Sequence, residues 1–172
     1  MLAAALLPSF SMAAKFDLGT RGEVELAVPS TWTATGDTVG DQGFNITLQP
    51  RQAAGVICKV TVLFFKPEQV VPEAEVQKRF TSLLERSTPP LFKRSGEIMK
   101  FHLKAGVGYY ATLVEEKPVA DKAVKAVTSG LVQLPNGCVA TLTVFTDSKQ
   151  SAELAEAVRI FESLSLIEKG RG

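Results

Sequence analysis

The sequence predicts an α+β domain built on a central, mostly antiparallel sheet, and three observations lead to it. Segments alternating apolar and polar residues recur along the chain, two amphipathic stretches of helical period interrupt them, and hairpin chemistry links the later segments. The resulting order is strands, helix, four strands, helix, which implies about six to seven strands flanked by helices. With 172 residues and neither a repeat nor a linker, the chain is expected to form one core.

Residues 1–14 read as a leader and residues 15–172 as the domain. Met1 to Ala14 carry no charge, and Leu2 to Phe10 are apolar apart from Ser9. Ser11-Met12-Ala13 and Met12-Ala13-Ala14 both end in alanine, and Lys15 opens the polar chain, so cleavage after Ala13 or Ala14 is expected. The basic residue that normally opens a secretory signal is missing from Met1-Leu2-Ala3, as a start codon further upstream would explain. The competing reading is an N-terminal helix or strand of the fold, with Pro8 weighing against a helix. The tract is too short to span a bilayer, and no cysteine near the cleavage site offers a lipid attachment point. The mature protein is therefore expected to be periplasmic or secreted, without stable membrane insertion.

Glu23 to Pro29 and Phe44 to Gln49 alternate as half-buried strands do. Between them Ser30 to Gly43, rich in Thr, Gly and Asp, reads as a loop anchored by Trp32. Val56 to Phe65 is apolar at nearly every position except Lys59 and Thr61, as in a central strand covered on both faces. From Pro67 to Arg86 the period changes: Val76, Phe80, Leu83 and Leu84 make one helical stripe, which Pro89-Pro90 closes. Gly96 to Lys104 and Tyr109 to Glu116 follow as strands joined through Ala105-Gly106-Val107-Gly108. Val124 to Leu134 and Cys138 to Thr146 flank Asn136-Gly137, whose residues suit the positive φ of a type I′ turn. Asp147 and Gln150 resemble a capping box, and Leu154, Val158, Phe161 and Leu164 trace a closing helix up to Ile167.

The candidate chemistry is sparse. Nineteen Lys and Arg against eighteen Asp and Glu leave no field to gather phosphates, so nucleic acid is not an expected partner. His102, the one histidine, excludes a multi-histidine zinc site; its neighbours Lys100 and Lys104 suggest a solvated strand face. No phosphate loop, Cys-x-x-Cys pair, zinc-protease helix or nucleophile elbow occurs, so no catalytic, metal or cofactor site is assigned. Cys58 and Cys138 are open to two readings, a bridge closing about eighty residues or two thiols buried in apolar layers. Trp32, Tyr109 and Tyr110 are the aromatics best suited to reach a surface or cleft, while core or rim packing is the reading favoured for them. Glu97, Glu115 and Glu116 could serve acid–base work if they converged, and otherwise read as solvent-facing strand ends. Asn45-Ile46-Thr47 matches a glycosylation pattern within a strand and reads as chance.

Three features carry a resemblance: the Val28-Pro29-Ser30-Thr31-Trp32 turn after an early strand, the helix around Val76 to Leu84, and the closing Leu154 to Leu166 helix with its Ser163-Leu164-Ser165-Leu166 end. In this layout the chain resembles the small secreted α/β proteins related to the photosystem extrinsic protein PsbP, the bacterial envelope protein DcrB and the Ran-binding Mog nuclear-import factor. The resemblance spans most of residues 16 to 167 and implies an α/β/α sandwich that binds or stabilises protein assemblies. It carries over no metal-binding or Ran-binding residue. The expected function is therefore a noncatalytic, exported binding or assembly module of the cell envelope with a protein partner. The alternatives are a small-molecule or lipid carrier with a pocket between sheet and helices, suggested by ten phenylalanines, and a hydrolase built on carboxylates.

Overall fold

The computed structural model describes residues 11–40, 43–52, 55–65, 70–104, 106–117, 124–134, 137–147 and 151–167. Strands β1 (Ser11–Asp17), β2 (Glu23–Pro29), β3 (Trp32–Val39), β4 (Gly43–Pro50) and β5 (Ile57–Phe64) precede helix α1 (Glu73–Ser87). Then come β6 (Phe92–Arg94), β7 (Met99–Lys100), β8 (Val107–Glu115), β9 (Ala126–Gln133), β10 (Cys138–Thr146), helix α2 (Ala152–Glu162) and β11 (Ser165–Ile167). Among the described residues the main sheet has eight strands, ordered β3-β4-β5-β10-β9-β8-β6 with β7 also on β8, and a second sheet is ordered β1-β2-β11. Every pairing among the described residues is antiparallel. The expected sheet is present, but the protein is richer in strand than the six to seven expected, and one outer layer is partly a second sheet.

Alternation along the strands separates two cores. On one face of the main sheet Ile46, Leu48, Cys58, Val60, Val62, Val132, Ala140, Leu142 and Val144 are buried with Val24, Leu26 and Val28 of β2 and Ala157, Ile160 and Phe161 of α2. On the other face Tyr109, Ala111 and Leu113 of β8 are buried under Val76, Phe80 and Leu84 of α1. The two helices thus flank opposite faces, with α2 and the small sheet forming one layer and α1 the other.

Five local expectations change. Residues 32–39, read as a loop, are strand β3: its inner positions are the small Ala34 and Gly36, so no apolar alternation marks it. A Cβ on Gly36 would come within 2.6 Å of both the Phe16 and Phe44 rings, whose centroids lie 5.8 Å apart, so the missing side chain is where the small sheet docks. Residues 96–104 reduce to β7; beyond it Phe101 leaves the sheet to fill the space over Gly130, between Tyr110 and Phe161 at 4.7 and 4.9 Å. Strand β5 is central but among the described residues only one of its faces is fully covered, with Ile57 41% exposed on the other. The last helix begins at Ser151, whose hydroxyl accepts from the Leu154 N–H, in place of Asp147. It stops at Ser163, whose N–H bonds the Arg159 and Ile160 carbonyls, and Ser165–Ile167 turn into β11 on β2.

The Leu2–Phe10 tract, Pro67, Ala105, Asn136 and Gln150 lie outside the described residues. Ser11 to Ala14, assigned to the leader by sequence, are the first half of β1, with Ala14 opposite Leu26.

Candidate binding groove

Among the described residues the α1 face is only partly covered, and that leaves a groove. Helix α1 lies over β8 and β9, so the outward-phase residues of β10, β5 and β4 form an open floor. One basin of about 420 Å³ is lined by Leu63, Phe65, Val70, Val76, Arg79, Leu83, Leu131, Val139 and Thr141, among others. A second of about 380 Å³ continues along α1 toward Ser87 and Phe92, sharing Leu83 and Thr141 with the first. Phe65, Val70 and Leu83 stay 44%, 46% and 47% exposed on its banks. Large apolar side chains left exposed around one depression are a feature shared with interaction sites and ligand-binding grooves.

The entrance to α1 is clamped. The Val71 N–H donates to Gln133 Oε1 at 2.9 Å, and Gln133 Nε2 donates to the Val71 carbonyl at 2.7 Å, so a β9 side chain supplies both bonds that the segment lacks. At the first turn of α1, Glu73 accepts from Lys100 Nζ at 2.5 Å and from the Tyr109 hydroxyl at 2.9 Å. The Lys100 and Tyr109 bonds hold the Glu73 carboxyl below its usual range, and Glu73 in turn raises Lys100. Burial, then the Glu73 bond, raises the Tyr109 hydroxyl.

Most residues singled out from sequence lie elsewhere. Trp32 and Tyr109 are buried, in line with the core reading and not the surface one: Trp32 Nε1 donates to Glu156 Oε2 at 2.7 Å, and Tyr109 packs under α1. Tyr110 is half-buried against Phe101, and burial followed by the Glu162 charge raises its hydroxyl. Cys58 and Cys138 do not bridge. In the β5–β10 register Cys58 faces Val144 and Cys138 faces Phe64, which puts them at opposite ends of the pair, roughly 20 Å apart at about 3.3 Å per residue. Burial pushes the Cys58 thiol up to about 12. His102 is exposed, off any strand, and its backbone N–H donates to Glu162 Oε1 at 2.9 Å. Glu115 is buried, Glu116 lies 3.5 Å from Lys93 Nζ, Glu97 is exposed, and none of the three lines either basin. Asn45 accepts from the Thr61 hydroxyl at 2.7 Å within the sheet.

Sequence reasoning missed the groove residues because they are the outward phase of segments read for their inward one. The available signal was Leu83 beside Leu84, which makes the α1 stripe wider than one packed face needs. Among the described residues no three His, Cys, Asp or Glu gather as metal ligands, and no helix is long and apolar enough to cross a membrane.

A main antiparallel sheet with α1 on one face, and α2 with a small sheet on the other, is a PsbP-like fold. The chain is similar to cyanobacterial PsbP (CyanoP) from Synechocystis sp. PCC 6803, with TM-score 0.57 and 10% identity, covering 97% of this chain and 99% of that one. A Bacteroides thetaiotaomicron VPI-5482 crystal structure matches with TM-score 0.52 and 10% identity, covering 86% of this chain and 46% of that one. The Saccharomyces cerevisiae Ran-binding protein Mog1p gives TM-score 0.49 and 12% identity, covering 92% of this chain and 97% of that one. No protein-family model matches the sequence, and no curated protein matches it.

Proposed function

We propose that the chain is an exported, noncatalytic binding or assembly module of the cell envelope that engages a protein partner through the groove beside α1. The observation that carries this is the open apolar depression with Phe65, Val70 and Leu83 on its banks. Export rests on the uncharged Leu2–Phe10 tract and the small residues after it. A photo-crosslinking side chain at Thr141, in cells making the full chain, is expected to give a defined protein adduct in the envelope fraction that Leu83→Asp removes. No adduct, or one indifferent to Leu83→Asp, sinks the proposal.

A carrier is the second reading, favoured by the size of the first basin, which falls within the range of about 300–1,000 Å³ usual for small-ligand sites. It predicts a retained small-molecule mass in native mass spectrometry of protein purified without detergent. A bare polypeptide mass would dismiss it.

A further inference from the structure

We infer that the groove receives one amphipathic helix of a partner protein, apolar on the face it lays down and acidic along its flanks. The inference rests on reading the groove as a protein-binding site and names the shape and charge of what enters.

Shape comes from the spacing of the layers. Strands lie about 4.8 Å apart and a helix is about 10 Å across, so one helix covers about two strands. Helix α1 occupies β8 and β9, and the next helix-width of the same face falls on β10 and β5. There the floor is apolar or small, with Leu63, Val139 and Thr141 half-buried. The wall repeats at alternating steps of three and four, through Val76, Arg79, Leu83 and Arg86, the spacing by which one helix packs along another. An extended strand does not suit the floor, because β10 and β5 already have strand neighbours on both sides. A helix brings its own backbone bonds. An acyl chain suits it less, since small-ligand sites enclose most of the ligand and the described residues leave this depression partly open to solvent.

Charge comes from the banks. Arg79 lines the first basin, Arg86 lies two turns further along the same side of α1, and Lys59 is exposed on the β5 bank. Among the described residues Glu75, 3.3 Å from Arg79 Nε, stands against these three cations. Acidic flanks on the incoming helix complete the pairing, and basic flanks would be repelled.

The test uses the full chain, labelled with nitrogen-15, and two soluble model helices sharing one Leu/Ala face but flanked by Glu or by Lys. The Glu-flanked helix is expected to shift the amides of Leu63, Leu131, Val139 and Thr141 and to bind about tenfold more tightly than its Lys-flanked counterpart, as three exposed charge pairs imply. Arg79→Glu with Arg86→Glu should reverse that order, and Leu83→Asp should weaken both. Equal affinity for the two helices, shifts confined to other surfaces, or saturation of the groove by dodecanoate in place of either helix overturns the inference. So does sedimentation showing that the chain pairs with a second copy through Leu83. A Thr141 protein adduct in cells, together with indifference to both helices, removes this inference and leaves the binding reading standing; loss of both results removes both.

Discussion

Gly36 on β3 and Gly130 on β9 do the same work at two places in the main sheet: each lacks the side chain that would otherwise meet a phenylalanine arriving from another layer. A Cβ on Gly130 would lie 2.6 Å from the Phe101 ring, which Tyr110 and Phe161 already confine, so the ring has little room to retreat. Gly130→Ala is therefore expected to cost about 2 kcal/mol by overpacking. Urea denaturation of Gly130→Ala, Phe101→Leu and the pair should show the two changes to be non-additive, the smaller side chain recovering part of the loss; simple additivity would mean that the ring and the glycine do not meet. Trp32 presents a different kind of dependence. Its indole N–H is buried and has Glu156 as its partner, so Glu156→Leu should cost about 1–3 kcal/mol while Glu156→Gln, which keeps a carbonyl oxygen there, costs less. Equal losses in thermal or urea melts would show that the hydrogen bond is not what Glu156 contributes.

The helices divide stability and binding between them. Helix α2 buries Leu154, Ala157, Val158, Ile160 and Phe161, whereas α1, four residues longer, buries only Val76, Phe80 and Leu84. Phe161→Ala is expected to cost about 4 kcal/mol, and Phe80→Ala about 1 kcal/mol less because its side opens on the groove and water can fill the space. Leu83→Asp, at a half-exposed position, should change stability by less than about 0.5 kcal/mol, which makes it a clean probe of binding. If Leu83→Asp unfolds the protein, the groove side of α1 is core and not surface. The same division explains what could be read from the chain beforehand. Strand β2 and the α1 stripe were legible because their inward residues are large and regularly spaced, and the β9–β10 pair because Asn136-Gly137 between two alternating segments signals a hairpin. Strand β3 was not, because its inner face is Ala34 and Gly36 and the volume there comes from Phe16 and Phe44, distant in sequence. The end of α2 was misread because Leu164, Leu166 and Ile167 continue an apolar run while Ser163 ends the helix by its backbone bonds. The groove left least trace, being assembled from the solvent-facing phase of a helix and several strands whose neighbours are set by register alone.

Taken as one titrating body, the protein has its weak side in alkali. Burial raises Cys58 to about 12 and also raises Tyr109 and Tyr110, while Lys15 is raised by its bonds to Glu25 and Glu23 and Lys100 by Glu73. In each case the folded chain keeps a proton that the unfolded chain gives up at lower pH. The stabilisation these groups provide is complete below their unfolded pKa values and is lost as pH climbs through the folded ones. On the acid side Glu73 acts in the opposite sense: its folded pKa is lowered, so its contribution is present above the unfolded value and fades as pH falls through the folded value. The expected profile is flat between about pH 5 and about pH 8 and declines from about pH 9 upward, where thiol, phenol and ammonium groups of the unfolded chain begin to titrate. Urea midpoints measured across that range test it, with Cys58→Ala expected to make the alkaline decline shallower because one retained proton is removed. The same substitution at neutral pH should cost a cavity's worth of stability, about 1 kcal/mol, so the two effects separate by pH. A midpoint that holds steady to about pH 11 in the unaltered chain would show that Cys58, Tyr109 and Tyr110 ionise as freely folded as unfolded, and that the main sheet does not seal them from water.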